Sequence, residues 1–167
     1  MGSSTRMSPL PVLGLALVVG LLAAVPVALA AEEIDRDTYV ERVEPICKQN
    51  SDANSRILKG VKEQVKQDKL VPAGKRFIRA ASALGTAVGK ISAVPQPSSD
   101  AAKLTKWIGY LEHEQTFLQK IGKALKAKDK FHAQKLAVEL NKNNNQANNT
   151  VISFNFKECR IDSSRFI

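Results

Sequence analysis

Two histidines, His113 and His132, are the first residues to examine for chemistry, and Glu112-His113-Glu114 has the composition of a metal-ligand set. On a helix, though, neighbouring side chains point about 100° apart, so these three cannot converge on one ion. A di-iron bundle needs Glu-x-x-His on two helices with further inward glutamates. No Glu-x-x-His occurs in the chain, and no Cys-x-x-Cys-His for haem attachment. Neither histidine has a Ser or Cys partner defined by motif. These residue types point away from an enzyme and imply no cofactor. Convergence of Glu44, Glu112 and Glu114 around a pocket is the arrangement that would reverse that reading.

The two cysteines, Cys47 and Cys159, offer a different chemistry. A thiol nucleophile or a metal-ligand pair would want a histidine nearby in sequence, and neither cysteine has one. An even count in an exported chain reads instead as a disulfide. Closing a loop of about 113 residues stabilises a fold by on the order of 4–5 kcal/mol in the chain-entropy model.

Export is read from the N-terminus. Arg6 is the one charge before an uncharged run from Leu10 to Ala31, Pro26 interrupts its end, and Ala28-Leu29-Ala30 is a small-x-small cleavage pattern. The expectation is a signal peptide over residues 1–30 and a mature single domain over 31–167, secreted or in the cell envelope. The rival is an uncleaved anchor, because the apolar run is long enough to span a bilayer. No cysteine ends the run, so lipid attachment there is not expected.

The elements that must position these residues follow from the apolar period. Hydrophobic residues are 44% and charged residues 25% of the 167, a globular balance, and the nine aromatics are too few for a sandwich or barrel. The first helix reads from about Asp37 to Asp68, with Val40, Val43, Cys47, Ala53, Ile57, Val61 and Val65 on one face. Pro45 predicts a kink or a short leading helix there. A second helix runs from about Pro72 to Ala93. Val94-Pro95-Gln96-Pro97 then breaks the chain, and Ser98, Ser99 or Asp100 can cap the third helix. That helix carries Leu104, Trp107, Ile108, Leu111, Leu118, Ile121 and Leu125. Asp129 can cap the fourth, which runs on through Val151 and Phe154 toward Cys159. Four amphipathic helices with short connections predict an all-α, up-down-up-down four-helix bundle. In that topology the start of helix one and the end of helix four share a pole, which is where the disulfide needs them.

Charge is the most informative surface feature. The formal net charge is +9, and +8 without Arg6. Seven basic residues stand against two acids between Lys59 and Arg79, and six against Asp129 between Lys120 and Lys135. The topology brings both clusters to one end. Lys62, Lys66, Lys69, Lys75, Arg76, Lys123, Lys126, Lys128 and Lys130 are therefore the candidate contact with an anionic envelope polymer or a membrane surface. The alternative is that lysines complement helix C-termini and keep an Ala-rich bundle soluble. Nucleic acid is disfavoured, because no aromatics interleave with the lysines.

Asn141 to Asn149 holds six Asn and Gln146, costly in a helix unless the side chains find partners. Asn50 and Asn54 should lie toward the same pole as its later part, either in an inter-helix amide network or around a polar pocket between the first and last helices. Asn148-Asn149-Thr150 also matches a glycosylation sequon. Trp107 with Tyr110 makes only a thin platform for sugar stacking.

Taken together, Tyr39-Val40-x-x-Val43-Glu44-Pro45-Ile46-Cys47-Lys48, Ala53-Asn54, Val94-Pro95-x-Pro97, Trp107-x-x-x-Leu111, Ala147-Asn148 and Phe154-x-Phe156 with Cys159 resemble uncharacterised small secreted or lipoprotein-like bacterial helical proteins. The resemblance implies an envelope location and brings no catalytic residue. The expectation is a non-catalytic protein acting by surface interaction through its basic pole. The alternative is a carrier of a small ligand between its helices, favoured by a cavity and disfavoured by a filled core.

Overall fold

The computed structural model describes residues 1–2 and 33–162, so the predicted leader lies, but for its first two residues, outside the described residues. Among these the chain is helical throughout, with no strand. Five α-helices follow one another: α1 Arg36–Leu58, α2 Val61–Lys66, α3 Leu70–Ser92, α4 Ala101–Lys126 and α5 Lys130–Thr150. Because α2 is a single short segment continuing the α1 arm, the architecture is the expected up-down-up-down four-helix bundle.

The helix ends follow from local chemistry. Asp35 opens α1 by accepting from the Thr38 N–H at 2.7 Å, and Asp129 opens α5 by accepting from the His132 N–H at 2.9 Å. Pro45 lies inside α1 and does not set off the short leading helix that was one of the two expectations for it. Pro45 and Glu41, whose carbonyl the proline leaves without its helical donor, are both exposed, so water can satisfy the unmade bond. The break falls instead at Gly60, whose φ of +78° is open to glycine and turns the chain into α2.

The third connection also differs from expectation. Ser98–Asp100 forms a 3₁₀ turn leading into α4, and no side chain caps that helix. Asp100 is buried, and its carboxylate is gripped in bidentate fashion by Arg36 Nε and Nη2, each at 2.8 Å. This pair fastens the start of α1 to the start of α4. The last helix is shorter than expected, ending at Thr150, with Phe154 in a 3₁₀ turn beyond it.

Packing runs in sequence order: α1 on α3, α3 on α4 and α4 on α5, with α1 and α5 in little or no direct backbone contact. The open seam between α1 and α5 is bridged at one pole by the segment after α5. There Cys159 bonds Cys47, with the Cα atoms 4.9 Å apart. The Glu44 carboxylate accepts from the backbone N–H groups of Lys157 and Glu158. Phe156 stacks on Trp107 at 5.2 Å and on Phe154 at 5.4 Å, while Arg36 lies over the Phe154 ring. The disulfide is the predicted one, and its presence marks an oxidising compartment outside the cytoplasm. Among the described residues no helix is long and apolar enough to cross a membrane.

Candidate functional site

Away from the disulfide pole the α1–α5 seam is not filled by protein. A cavity of about 290 Å³ lies between α1–α2, α4 and α5. Its walls are apolar: Leu58, Val61 and Val65 from α1 and α2, Leu118, Ile121 and Leu125 from α4, and Ala133 and Leu140 from α5, with Phe77 of α3 behind them. An apolar cavity about half this size takes up benzene, and about 300 Å³ is the lower end for small-molecule sites.

The two ends of the cavity differ in chemistry. Lys62 and Lys66, both exposed, and the half-buried Lys130 form its solvent end. Asn54, Glu114 and Asn144, all buried, form its inner end. Burial alone pushes the Glu114 carboxyl up to about 7 from its usual 4.5, because a charge there would be desolvated. The Asn54 amide donates to Asn50 Oδ1 at 3.3 Å, and its own Oδ1 has no partner within the protein.

Asn54 and Glu114 also line a second cavity, of about 90 Å³, that continues beneath the disulfide along Leu111, Trp107 and Cys159. Trp107 Nε1 likewise lacks a protein partner. This smaller space is polar enough and roomy enough to suit ordered water. Two cavities thus meet at Asn54 and Glu114, polar on the disulfide side and apolar on the basic side.

The basic clusters expected from sequence do come to one end. Asp68, between α2 and α3, pairs with Lys130 at the start of α5 at 2.9 Å, which joins the two loops. Lys62, Lys66, Lys69, Lys75, Lys123, Lys126 and Lys128 are exposed. Arg76, half-buried at the same end, donates from Nη1 to the carbonyls of Ile57 and Lys59 and so closes the end of α1. Of the nine, Lys62, Lys66 and Lys130 line the large cavity.

Other candidates disperse. His113 and His132 are exposed, with His113 edge-on to Tyr110. Trp107 is wholly buried, so it offers no platform with Tyr110. Glu44 is engaged by backbone amides, Glu112 is exposed, and only Glu114 of the three carboxylates lines these cavities. No group of three metal-ligating side chains occurs among the described residues.

Two asparagines of the amide-rich run bond backbone groups, and Asn143 also donates to Asn144 Oδ1 at 3.3 Å. Asn143 donates to the Tyr110 carbonyl on α4 at 2.9 Å. Asn148 donates to the Ile161 carbonyl and accepts from the Ile161 N–H, at 2.8 and 2.9 Å, holding down the C-terminal segment. Asn143 and Asn148 thereby satisfy backbone groups of α4 and of the C-terminal segment.

The expected polar pocket between the first and last helices brings Asn54 and Asn144 together, and what the sequence reading did not anticipate is that Glu114 joins them. Glu114 stands between Leu111 and Leu118, Asn54 between Cys47 and Leu58, and Asn144 between Leu140 and Ala147, each at a seam position of its helix. A polar side chain on three facing seams marks a place where the core is interrupted. No protein-family model, no curated protein and no solved structure matches the chain.

Proposed function

We propose that this protein is a non-catalytic, exported binder of a small apolar ligand, held in the cavity between α1–α2 and α4–α5. The observation that carries the reading is the apolar space of about 290 Å³ in a bundle whose other helix pairs are closely packed. A preformed concave apolar site is the usual form of a small-molecule pocket. Export by a cleaved signal peptide over residues 1–30, into the cell envelope or beyond it, belongs to the same proposal.

The test uses residues 31–167, which form a compact unit by themselves. A naphthylamine fluorophore that brightens in apolar surroundings should bind with saturation, and Ala133→Phe or Ala137→Phe, each filling the cavity, should abolish the signal while far-UV dichroism stays helical. Equal brightening in both filled variants would refute the reading.

A second reading is favoured by the gathering of seven exposed lysines at one end: docking of that pole on an anionic envelope polymer or membrane surface. It is checked by binding to anionic polymers and vesicles across a salt series. Steep weakening with salt, and loss in a variant with Lys66, Lys69, Lys126 and Lys128 changed to Glu, supports it. Binding by that variant equal to the parent counts against it.

A further inference from the structure

The large cavity has a direction as well as a volume, and the direction names its ligand. Along α4 the apolar wall from Glu114 to Leu125 is about 16 Å long at 1.5 Å per residue, elongated rather than round. The ionisable groups in its lining are Glu114 at the inner end and Lys62, Lys66 and Lys130 at the solvent end. Asp68 holds Lys130 from outside that lining.

We infer that the ligand is a single-chain amphiphile with an anionic head, its alkyl tail lying along Leu118, Ile121 and Leu125 and its head on Lys66 and Lys130. This rests on the proposed cavity binding and specifies the chemical class.

Three considerations lead to it. An alkyl tail matches a narrow wall built almost entirely of aliphatic side chains, and burying it there removes apolar surface from water on both partners. A neutral apolar molecule would leave the lysine end unused, whereas an anionic head can displace Asp68 from Lys130 or share it, in charge-assisted hydrogen bonds. The reverse orientation would bury an anion beside Glu114 at the inner end, where no cation lines the cavity to offset the loss of its water. The tail therefore enters first. A space of this volume suits one chain of medium length better than two.

The experiment compares three probes of equal tail, decanesulfonate, decanol and decyltrimethylammonium, by calorimetry on residues 31–167 below their micelle-forming concentrations. Decanesulfonate is expected to bind about tenfold more tightly than decanol, the scale of one charge-assisted contact, and decyltrimethylammonium to bind least. In Lys66→Gln/Lys130→Gln the sulfonate should fall to the level of decanol while decanol is unchanged. Because these side chains lie at the solvent end, the double variant keeps its core, and a thermal melt verifies that. Equal affinity for sulfonate and decanol would overturn the anionic head and leave cavity binding intact. Sulfonate binding that persists in Ala133→Phe would place the ligand on the surface lysines and overturn the inference. No binding of any probe would refute both the inference and the proposed function.

Discussion

At the scale of single residues, Glu114 sets the electrostatic behaviour of the interior. Its carboxyl group faces the junction of two cavities, where the other lining ionisable groups are Lys62, Lys66 and Lys130 on the basic side and Lys157, Glu158, Arg160 and Asp162 on the disulfide side. A folded pKa of about 7 against a usual 4.5 means that the native state holds this proton more tightly than the unfolded chain does. Its contribution to stability is therefore full below pH 4.5 and is lost as pH rises through 7, on the order of 3 kcal/mol in total. Glu114→Gln should remove this slope and be the more stable protein at pH 8, as denaturant melts at several pH values would reveal. Asp100 acts in a different window. Chiefly its hydrogen bond with Arg36 holds its carboxyl below the usual 3.8, so its contribution is present above 3.8 and is lost in stronger acid. A parent and variant with the same slope between pH 4.5 and 7 would contradict the role given to Glu114.

At the scale of elements, α3 and α4 approach backbone to backbone where they cross at Gly74 and Gly122. A Cβ on Gly74 would sit 2.5 Å from the Gly122 carbonyl oxygen, and one on Gly122 would sit 2.7 Å from that of Gly74. Backbone on both sides cannot give way, so Gly122→Ala should destabilise the fold by about 1–3 kcal/mol in chemical denaturation, as overpacking does. The ends of α2 and α4 use left-handed residues without being glycine: Asp68 at φ +56° and Lys128 at φ +62°. At each, the following N–H reaches back to the helix, Lys69 to Gln64 and Asp129 to Ala124, as in a Schellman motif. Lys128→Gly should therefore stabilise the protein by about 0.5–1 kcal/mol while removing a surface charge, a gain read as a higher denaturation midpoint. These helix ends also explain what was legible beforehand. The Asp129 cap was legible because it is encoded locally, whereas the Asp35 cap and the turn at Gly60, inside what reads as one helix from Asp37 to Asp68, were not singled out, and Pro45 was tolerated because solvent, which the sequence does not specify, lies beside it. The sharing of Asp100 with Arg36, 64 positions away, is likewise a tertiary choice that outcompetes the local role of helix cap.

At the scale of the molecule, the α1–α5 seam organises everything else. The bundle and its disulfide followed from periodicity and cysteine arithmetic, because both depend on features that repeat along the chain. The cavity did not, since it arises from which seam stays open, and only the polar interruptions at Asn54, Glu114 and Asn144 hinted at it. Sequence separation of 112 residues across the disulfide implies that Cys47→Ser/Cys159→Ser loses on the order of 4–5 kcal/mol in the chain-entropy model. Its loss should also free the segment after α5, measured as faster amide exchange at Ile161. The measurement that bears most directly on the cavity as the working site is methyl NMR of residues 31–167 during titration with decanesulfonate. Shifts confined to the methyl groups of Val61, Leu118, Ile121, Leu125 and Leu140, with exposed Val138 and Ile152 unmoved, are the expected result. Shifts at surface methyls alone, with those five unchanged, would contradict the account.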